Sequence, residues 1–167
     1  MNTQQEEVLR KVEQQDIAFL RLWFTDIFGS LKTVMMSPAE LESAFDEGAG
    51  FDGSSIEGFT RISESDTLLK PDPSTYQALP FDEDSGLQTA RMFCDITMPD
   101  GDPLYADPRQ VLRRQIQNAR DMGFEFLASP EIEFYVVKPF EPGEHPRPAD
   151  KGGYFDQAKR NEAPKLR

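Results

Sequence analysis

Ile17-Ala-Phe-Leu-Arg-Leu-Trp-Phe24, Asp26-Ile-Phe-Gly29 and Leu31-Lys-Thr-Val-Met-Met36 lie close together near the start of the chain, and their reading decides the fold. The first and last of these segments are rich in β-branched, aromatic and long aliphatic side chains, which suit a pleated, half-buried strand surface. Gly29 between them can take the positive φ of a tight connection, so the stretch reads as a hairpin. Ser37-Pro38-Ala39-Glu40 follows at once with the marks of a helix start. Ser37 is placed to cap, Pro38 fits the first helical position and Glu40 closes a capping box, while Gly48 can end the helix in a left-handed conformation.

Upstream, Thr3-Gln4-Gln5-Glu6 has the spacing of a capping box, and Val8, Leu9 and Val12 recur at helical spacing, so a short amphipathic helix is expected to open the chain. Downstream, 66–70, 76–79 and 90–96 read as short strands separated by Pro and Gly. Strand, strand, helix and further strands make an α+β pattern. Asp107-Pro108-Arg109-Gln110 then starts a third helix, with Val111, Leu112, Ile116 and Ala119 on one face and an end near Gly123. Strands are expected at 124–128 and 131–137. The change from a mostly β stretch to this β/α/β start places an expected domain boundary near Asp107, dividing 1–107 from 108–167. Glu141-Pro-Gly-Glu-His-Pro-Arg-Pro148 reads as a loop, because its prolines remove donors and restrict their neighbours. Tyr154 to Arg167 is polar and without a closing element, as expected of a segment cut from a longer polypeptide.

The chain has 167 residues, 38% of them apolar, enough for a buried core. A formal net charge of −12 repels phosphate backbones and anionic lipid surfaces, so nucleic acid and membrane are not expected partners, whereas metal cations are compatible with it. No apolar stretch is long enough for a bilayer-spanning helix and the amino terminus has no apolar signal region, from which a cytoplasmic location is expected. The single cysteine, Cys94, has no intrachain disulfide partner and sits in an apolar run, as a buried thiol would.

Two stretches can carry chemistry. Gly48-Ala-Gly50-Phe51-Asp52-Gly53-Ser54-Ser55, followed by Ile56-Glu57-Gly58-Phe59, sets glycines around a carboxylate and two hydroxyls. Such a loop lets backbone and Asp52 approach a small ligand closely, although Gly, Ser and Asp are also ordinary turn residues. In Pro130-Glu131-Ile132-Glu133-Phe134-Tyr135-Val136, strand alternation would put Glu131, Glu133 and Tyr135 on one face and Ile132, Phe134 and Val136 on the other. The Cα atoms of the two glutamates would then lie about 6.5–7 Å apart, a spacing that suits one shared divalent cation or two neighbouring ones, and equally an acidic exposed sheet face. Oxygen-only ligands favour Mg²⁺ or Mn²⁺ over zinc. His145 reads as a solvated loop residue, Trp23, Phe24 and Phe93 as core, and Arg109, Arg113 and Arg114 as a solvated helix face or intersubunit salt bridges. There is no P-loop signature and no nucleophile elbow.

Phe51-Asp52-Gly53-Ser54-Ser55, with Glu64-Ser65-Asp66 and Leu69 after it, resembles the amino-terminal signature of bacterial-type glutamine synthetases. Arg21-Leu-Trp-Phe-Thr-Asp26 with Gly29, Pro71-Asp-Pro-Ser-Thr75, Cys94-Asp95-Ile96, Asp107-Pro108-Arg109 and Pro130-Glu-Ile-Glu-Phe134 support the resemblance in the right order. Together they extend from about residue 8 to Asp156. The resemblance implies a β-grasp domain to about residue 107 and then the incomplete start of a catalytic α/β barrel-like domain. It implies a glutamate–ammonia ligase that makes glutamine from glutamate, ammonium and ATP through a γ-glutamyl phosphate, in double hexameric rings whose active sites lie between adjacent subunits. Asp52 matches the aspartate that binds ammonium and takes its proton, Ser55 belongs to the same latch, and Glu131 and Glu133 match two ligands of paired Mg²⁺ or Mn²⁺ ions.

Two departures follow. Phe59 stands where many relatives carry tryptophan, and the family's remaining metal ligands, its glutamate-binding arginine and its nucleotide pocket would lie beyond Arg167. No nucleotide-binding residue is therefore assigned, and the 167 residues alone are expected to be inactive. A ligase joining glutamate to an amine or polyamine, and a truncated non-catalytic partner of full-length subunits, are the alternatives; the retained Asp52 favours ammonium over a larger amine.

Overall fold

In the computed structural model, residues 2–56, 66–80 and 86–149 are described. Glu57, Gly58, Phe59, Glu64, Ser65 and the stretch from Tyr154 to Arg167 lie outside them. The chain divides into two compact units, one running from Met1 to Phe126 and the other from Leu127 to Arg167.

The first unit is built on one sheet. Helix α1 (Thr3–Gln14) leads into β1 (Phe19–Thr25) and β2 (Leu31–Met36), then a 3₁₀ turn (Pro38–Glu40) runs into α2 (Leu41–Asp46). Strands β3 (Ala49–Asp52), β4 (Asp66–Pro71), β5 (Gln77–Leu79) and β6 (Thr89–Thr97) follow, and α3 (Pro108–Asp121) comes last. The sheet order is β2-β1-β6-β4-β3. β6 is central: it runs parallel to β1 along one edge and antiparallel to β4 and β5 along the other.

Alternation along the strands sorts the side chains. Leu20, Leu22 and Phe24 of β1 and Ala90, Met92, Cys94 and Ile96 of β6 point into the core, where Val8 and Val12 of α1 and Leu41, Ala44 and Phe45 of α2 cover them. Cys94 is buried and unpaired, as expected, and burial pushes its thiol far above the usual range, which removes it as a nucleophile. Phe24 is core, but Trp23 and Phe93 are not. They occupy the opposite sheet face, edge to face at 5.7 Å, with the Arg91 guanidinium 5.4 and 5.0 Å from their ring centroids.

Local signals account for most boundaries. Ser37 and Glu40 form the capping box ahead of α2, and Gly48 takes φ +94° just beyond that helix. A Cβ there would lie 3.0 Å from Leu68 Cβ, so glycine is needed for space as well as for φ. Gly29 at φ +80° closes the β1–β2 hairpin, whose tip is held by the Asp26 carboxylate accepting from the Phe28 and Ser30 amides at 2.9 Å. At α1 the cap is Asn2, one residue earlier than expected: its side chain accepts from the Gln5 amide at 3.0 Å while Gln5 Oε1 accepts from the Asn2 amide at 2.7 Å. Asparagine caps at least as well as threonine, and glutamine serves in place of glutamate at the third position.

Helix α3 is attached by its polar side. Asp107, 1% exposed, caps it through the Arg109 amide at 3.0 Å and with its other oxygen accepts from the Ile96 amide at 3.0 Å. Arg109 bridges Asp72 at 2.6 Å and Asp95 at 3.1 Å, and Arg113 reaches Asp95 at 2.9 Å. These arginines thus make salt bridges within the chain. Val111 and Leu112 of the expected apolar face are exposed.

The expected strands at 124–128 and 131–137 are absent. A strand needs a hydrogen-bonding neighbour, and among the described residues the β pairing of this stretch is limited to an isolated bridge, Val137 to Pro148. The second unit, as far as it is described, closes the proline-rich loop with Lys138 N–H to Arg147 O at 2.9 Å and Ala149 N–H to Val136 O at 2.8 Å.

Candidate functional site

The glycine-rich stretch is partly sheet rather than wholly loop. Ala49–Asp52 forms the outermost strand, β3, paired antiparallel with β4 so that Asp52 stands opposite Asp66 at the end of the ladder. Its backbone is anchored from both sides. Buried Thr67 donates from Oγ1 to the Phe51 carbonyl at 3.0 Å, and the Phe51 ring packs on core Phe24 with centroids 5.1 Å apart. A short, glycine-containing strand of this kind has little side-chain pattern to announce it.

Asp52 leaves the sheet and caps a 3₁₀ turn, Gly53–Ser55. Its Oδ1 accepts two hydrogen bonds from Ser54, the amide at 2.9 Å and the hydroxyl at 2.6 Å. Oδ2 accepts a longer one from the Ser55 hydroxyl at 3.4 Å. The Ser54 hydroxyl and then its amide hold the Asp52 carboxyl below the ordinary aspartate range, against a slight opposing effect of burial. The result is an exposed carboxylate that stays ionised, on the outer edge of the sheet, with Asp66 across the ladder.

The structure therefore brings together Asp52, Ser54 and Ser55. Ser55, singled out in the sequence, makes the weaker contact. Ser54 makes the stronger two, and the signal that identifies it is the Asp-x-Ser spacing, which recurs at Asp72-Pro73-Ser74.

Glu131 and Glu133 belong to the other compact unit. Both are exposed, and neither has a hydrogen bond or ion pair among the described residues. Since no strand forms there, the expected shared face with Tyr135 is not built, and Ile132, Phe134 and Tyr135 are all exposed. The donor chemistry fits Mg²⁺ or Mn²⁺, and both carboxylates are free to ligate. Among the described residues, no group of three or more His, Cys, Asp or Glu side chains is placed to hold a metal ion. His145 is an exposed loop residue. No helix among the described residues is long and apolar enough to cross a membrane.

Comparison with known proteins places both segments in one family. Residues 16–99 match the glutamine synthetase β-grasp domain and residues 105–167 the glutamine synthetase catalytic domain. The chain belongs to the glutamine synthetase family. It is 59% identical over 169 residues to a glutamine synthetase of Mycolicibacterium smegmatis, covering 100% of this chain and 38% of that protein. It is 61% identical over 160 residues to one of Mycobacterium bovis, covering 95% of this chain and 36% of the relative. A glutamine synthetase of Thermotoga maritima is 45% identical over 152 residues, covering 90% of this chain and 34% of that protein. The chain thus spans little more than a third of the length of these relatives. Among solved structures, a cryo-EM structure of Plasmodium falciparum glutamine synthetase superposes with a TM-score of 0.64 at 23% identity, over 71% of this chain and 23% of that one. A GmaS/ADP complex gives a TM-score of 0.61 at 22% identity, over 68% of this chain and 25% of that one; these two likenesses bear on the fold alone. The fold is α+β, with an amino-terminal β-grasp domain and the start of the catalytic domain.

Proposed function

We propose that this sequence is the amino-terminal portion of a glutamate–ammonia ligase, which makes glutamine from glutamate, ammonium and ATP through a γ-glutamyl phosphate, with the β-grasp domain at 1–107 and the start of the catalytic domain at 108–167. The observation that carries the reading is Asp52, held ionised on the outermost strand of a glutamine synthetase β-grasp sheet. Ammonium is a cation, so an ionised carboxylate attracts it. It must also lose a proton before its nitrogen can attack, and the same oxygen can accept that proton. Ser55 borders the site. Oδ2, with only one long contact among the described residues, is the oxygen available to both tasks.

Glu131 and Glu133 would hold Mg²⁺ or Mn²⁺ together with ligands outside this chain, and when bound these ions supply positive charge at the transferring phosphoryl oxygens. The complete protein is cytoplasmic and assembles into double hexameric rings, in which the β-grasp domain of one subunit closes the site of the next. The 167 residues alone are inactive.

The test is Mg²⁺-dependent phosphate release from ATP with glutamate and ammonium, in a protein of the relatives' length carrying this segment. Release that collapses in Asp52→Ala supports the ligase and the role of Asp52. Release that ignores ammonium but answers to putrescine transfers the reading to a glutamate–amine ligase.

A further inference from the structure

The two Asp-x-Ser turns have the same geometry and different occupants. At Asp72 the Ser74 amide and hydroxyl sit on Oδ1 at 3.0 and 2.6 Å. At Asp52 the Ser54 amide and hydroxyl sit on Oδ1 at 2.9 and 2.6 Å. In both, one carboxylate oxygen is fully engaged by the serine two residues on. At Asp72 the other oxygen holds a cation, the Arg109 guanidinium, at 2.6 Å. At Asp52 the corresponding oxygen has, among the described residues, only the Ser55 hydroxyl at 3.4 Å. The chain contains an occupied copy of the device beside an open one.

We infer that Ser54 is a positioning residue: by occupying Oδ1 of Asp52 with its amide and hydroxyl, it leaves Oδ2 as the one oxygen that receives the ammonium ion and then its proton. The inference rests on the proposed role of Asp52. The step balances simply: one N–H bond of ammonium breaks, the proton passes to Oδ2, and the electron pair stays on nitrogen as the nucleophilic lone pair of ammonia. A carboxylate free to rotate would offer either oxygen in many orientations. One clamped at Oδ1 offers a single direction of approach, and the loss of ordering freedom is borne before substrate arrives. Ser54 touches neither substrate nor phosphate in this account and acts only through Asp52.

The first measurement uses the 167-residue chain itself, following the Asp52 side-chain carboxyl by ¹³C NMR against pH. Ser54→Ala, which removes the hydroxyl and keeps the amide, is expected to move the titration upward, and Ser54→Thr to restore it. The second uses a chimera in which residues 1–167 replace the matching segment of the Mycolicibacterium smegmatis relative. There Ser54→Ala is expected to raise KM for ammonium about tenfold, the scale of one hydrogen bond to a charged group, to change kcat at saturating ammonium far less, and to shift the acidic limb of the pH profile upward, with Ser54→Thr close to wild type. An unmoved Asp52 titration in Ser54→Ala overturns the inference. So does an unchanged KM for ammonium in Ser54→Ala when Asp52→Asn abolishes activity, in which case the role of Asp52 stands and only that of Ser54 falls. If Asp52→Asn leaves ammonium use intact, the reading of Asp52 fails and the inference falls with it.

Discussion

The stretches 19–24 and 131–136 look alike on paper and fare differently in space. Both are runs of large apolar side chains interrupted by charged ones, Arg21 in the first and Glu131 and Glu133 in the second. In β1 the alternation is realised: Leu20 and Leu22 are fully buried, because β2 and β6 flank the strand and α1 and α2 cover its inner face. At 131–136 the same pattern leaves Ile132 83% exposed, with no strand formed. Alternation states which residues would share a face. It does not supply the neighbour that makes a face exist.

The contrast can be attacked from its strong side first. Leu22→Ala should cost about 2–5 kcal/mol, as large-to-small changes in a closed core do, read as a lower denaturation midpoint at constant slope. Asp107→Ala should follow at about 2–3 kcal/mol, since it removes the α3 cap and strands the buried Ile96 amide; amide exchange at Ile96 would rise with it. An effect near zero for either would mean that the sheet unit is no better closed than 131–136.

Acidification comes next, with a smaller effect because Asp72 keeps partial contact with solvent, its side chain 18% exposed. Burial opposes ionisation of Asp72, but the Ser74 hydroxyl and Arg109 outweigh it and hold the carboxyl below the ordinary range. Its contribution is therefore complete above the unfolded-state pKa and lost as pH falls through the lower folded value. Asp107 has the opposite sign. Burial raises its carboxyl above the ordinary range, so its protonation on acidification favours the fold and offsets part of the loss. Denaturation midpoints against pH should fall at the acid end less steeply in Asp72→Asn than in wild type. Last, Ile132→Ser should stay within about 0.5 kcal/mol of wild type, the range of surface changes. A loss as large as that of Leu22→Ala would show that 131–136 is packed after all.

What was legible follows the same division. The ends of β2, the cap at Ser37, the turn at Gly29 and the cap at Asp107 are written in neighbouring residues, so local chemistry suffices to find them. β3 was hidden because Ala49-Gly50-Phe51-Asp52 is short and glycine-bearing and becomes a strand only through its ladder with β4, more than a dozen residues away. The bridges from Arg109 and Arg113 to Asp72 and Asp95 were hidden for the same reason, since they join residues distant in sequence. Asp52 itself stood out as an acid among glycines. That Ser54 rather than Ser55 grips it depends on the direction of a turn, which residue type alone does not give.

The parallel pairing of β1 with β6 bears on how the sheet comes into being. The middle strand of the sheet is also its last in sequence, so the register Leu22 to Met92 closes a loop of most of the first hundred residues. On a ribosome, the β1–β2 hairpin emerges with one edge bare and must wait for β6 before that edge can be paired. Loop-closure entropy of this size slows folding, and a nascent chain stalled before Thr89 would hold an incomplete sheet with its hydrophobic side open to chaperones.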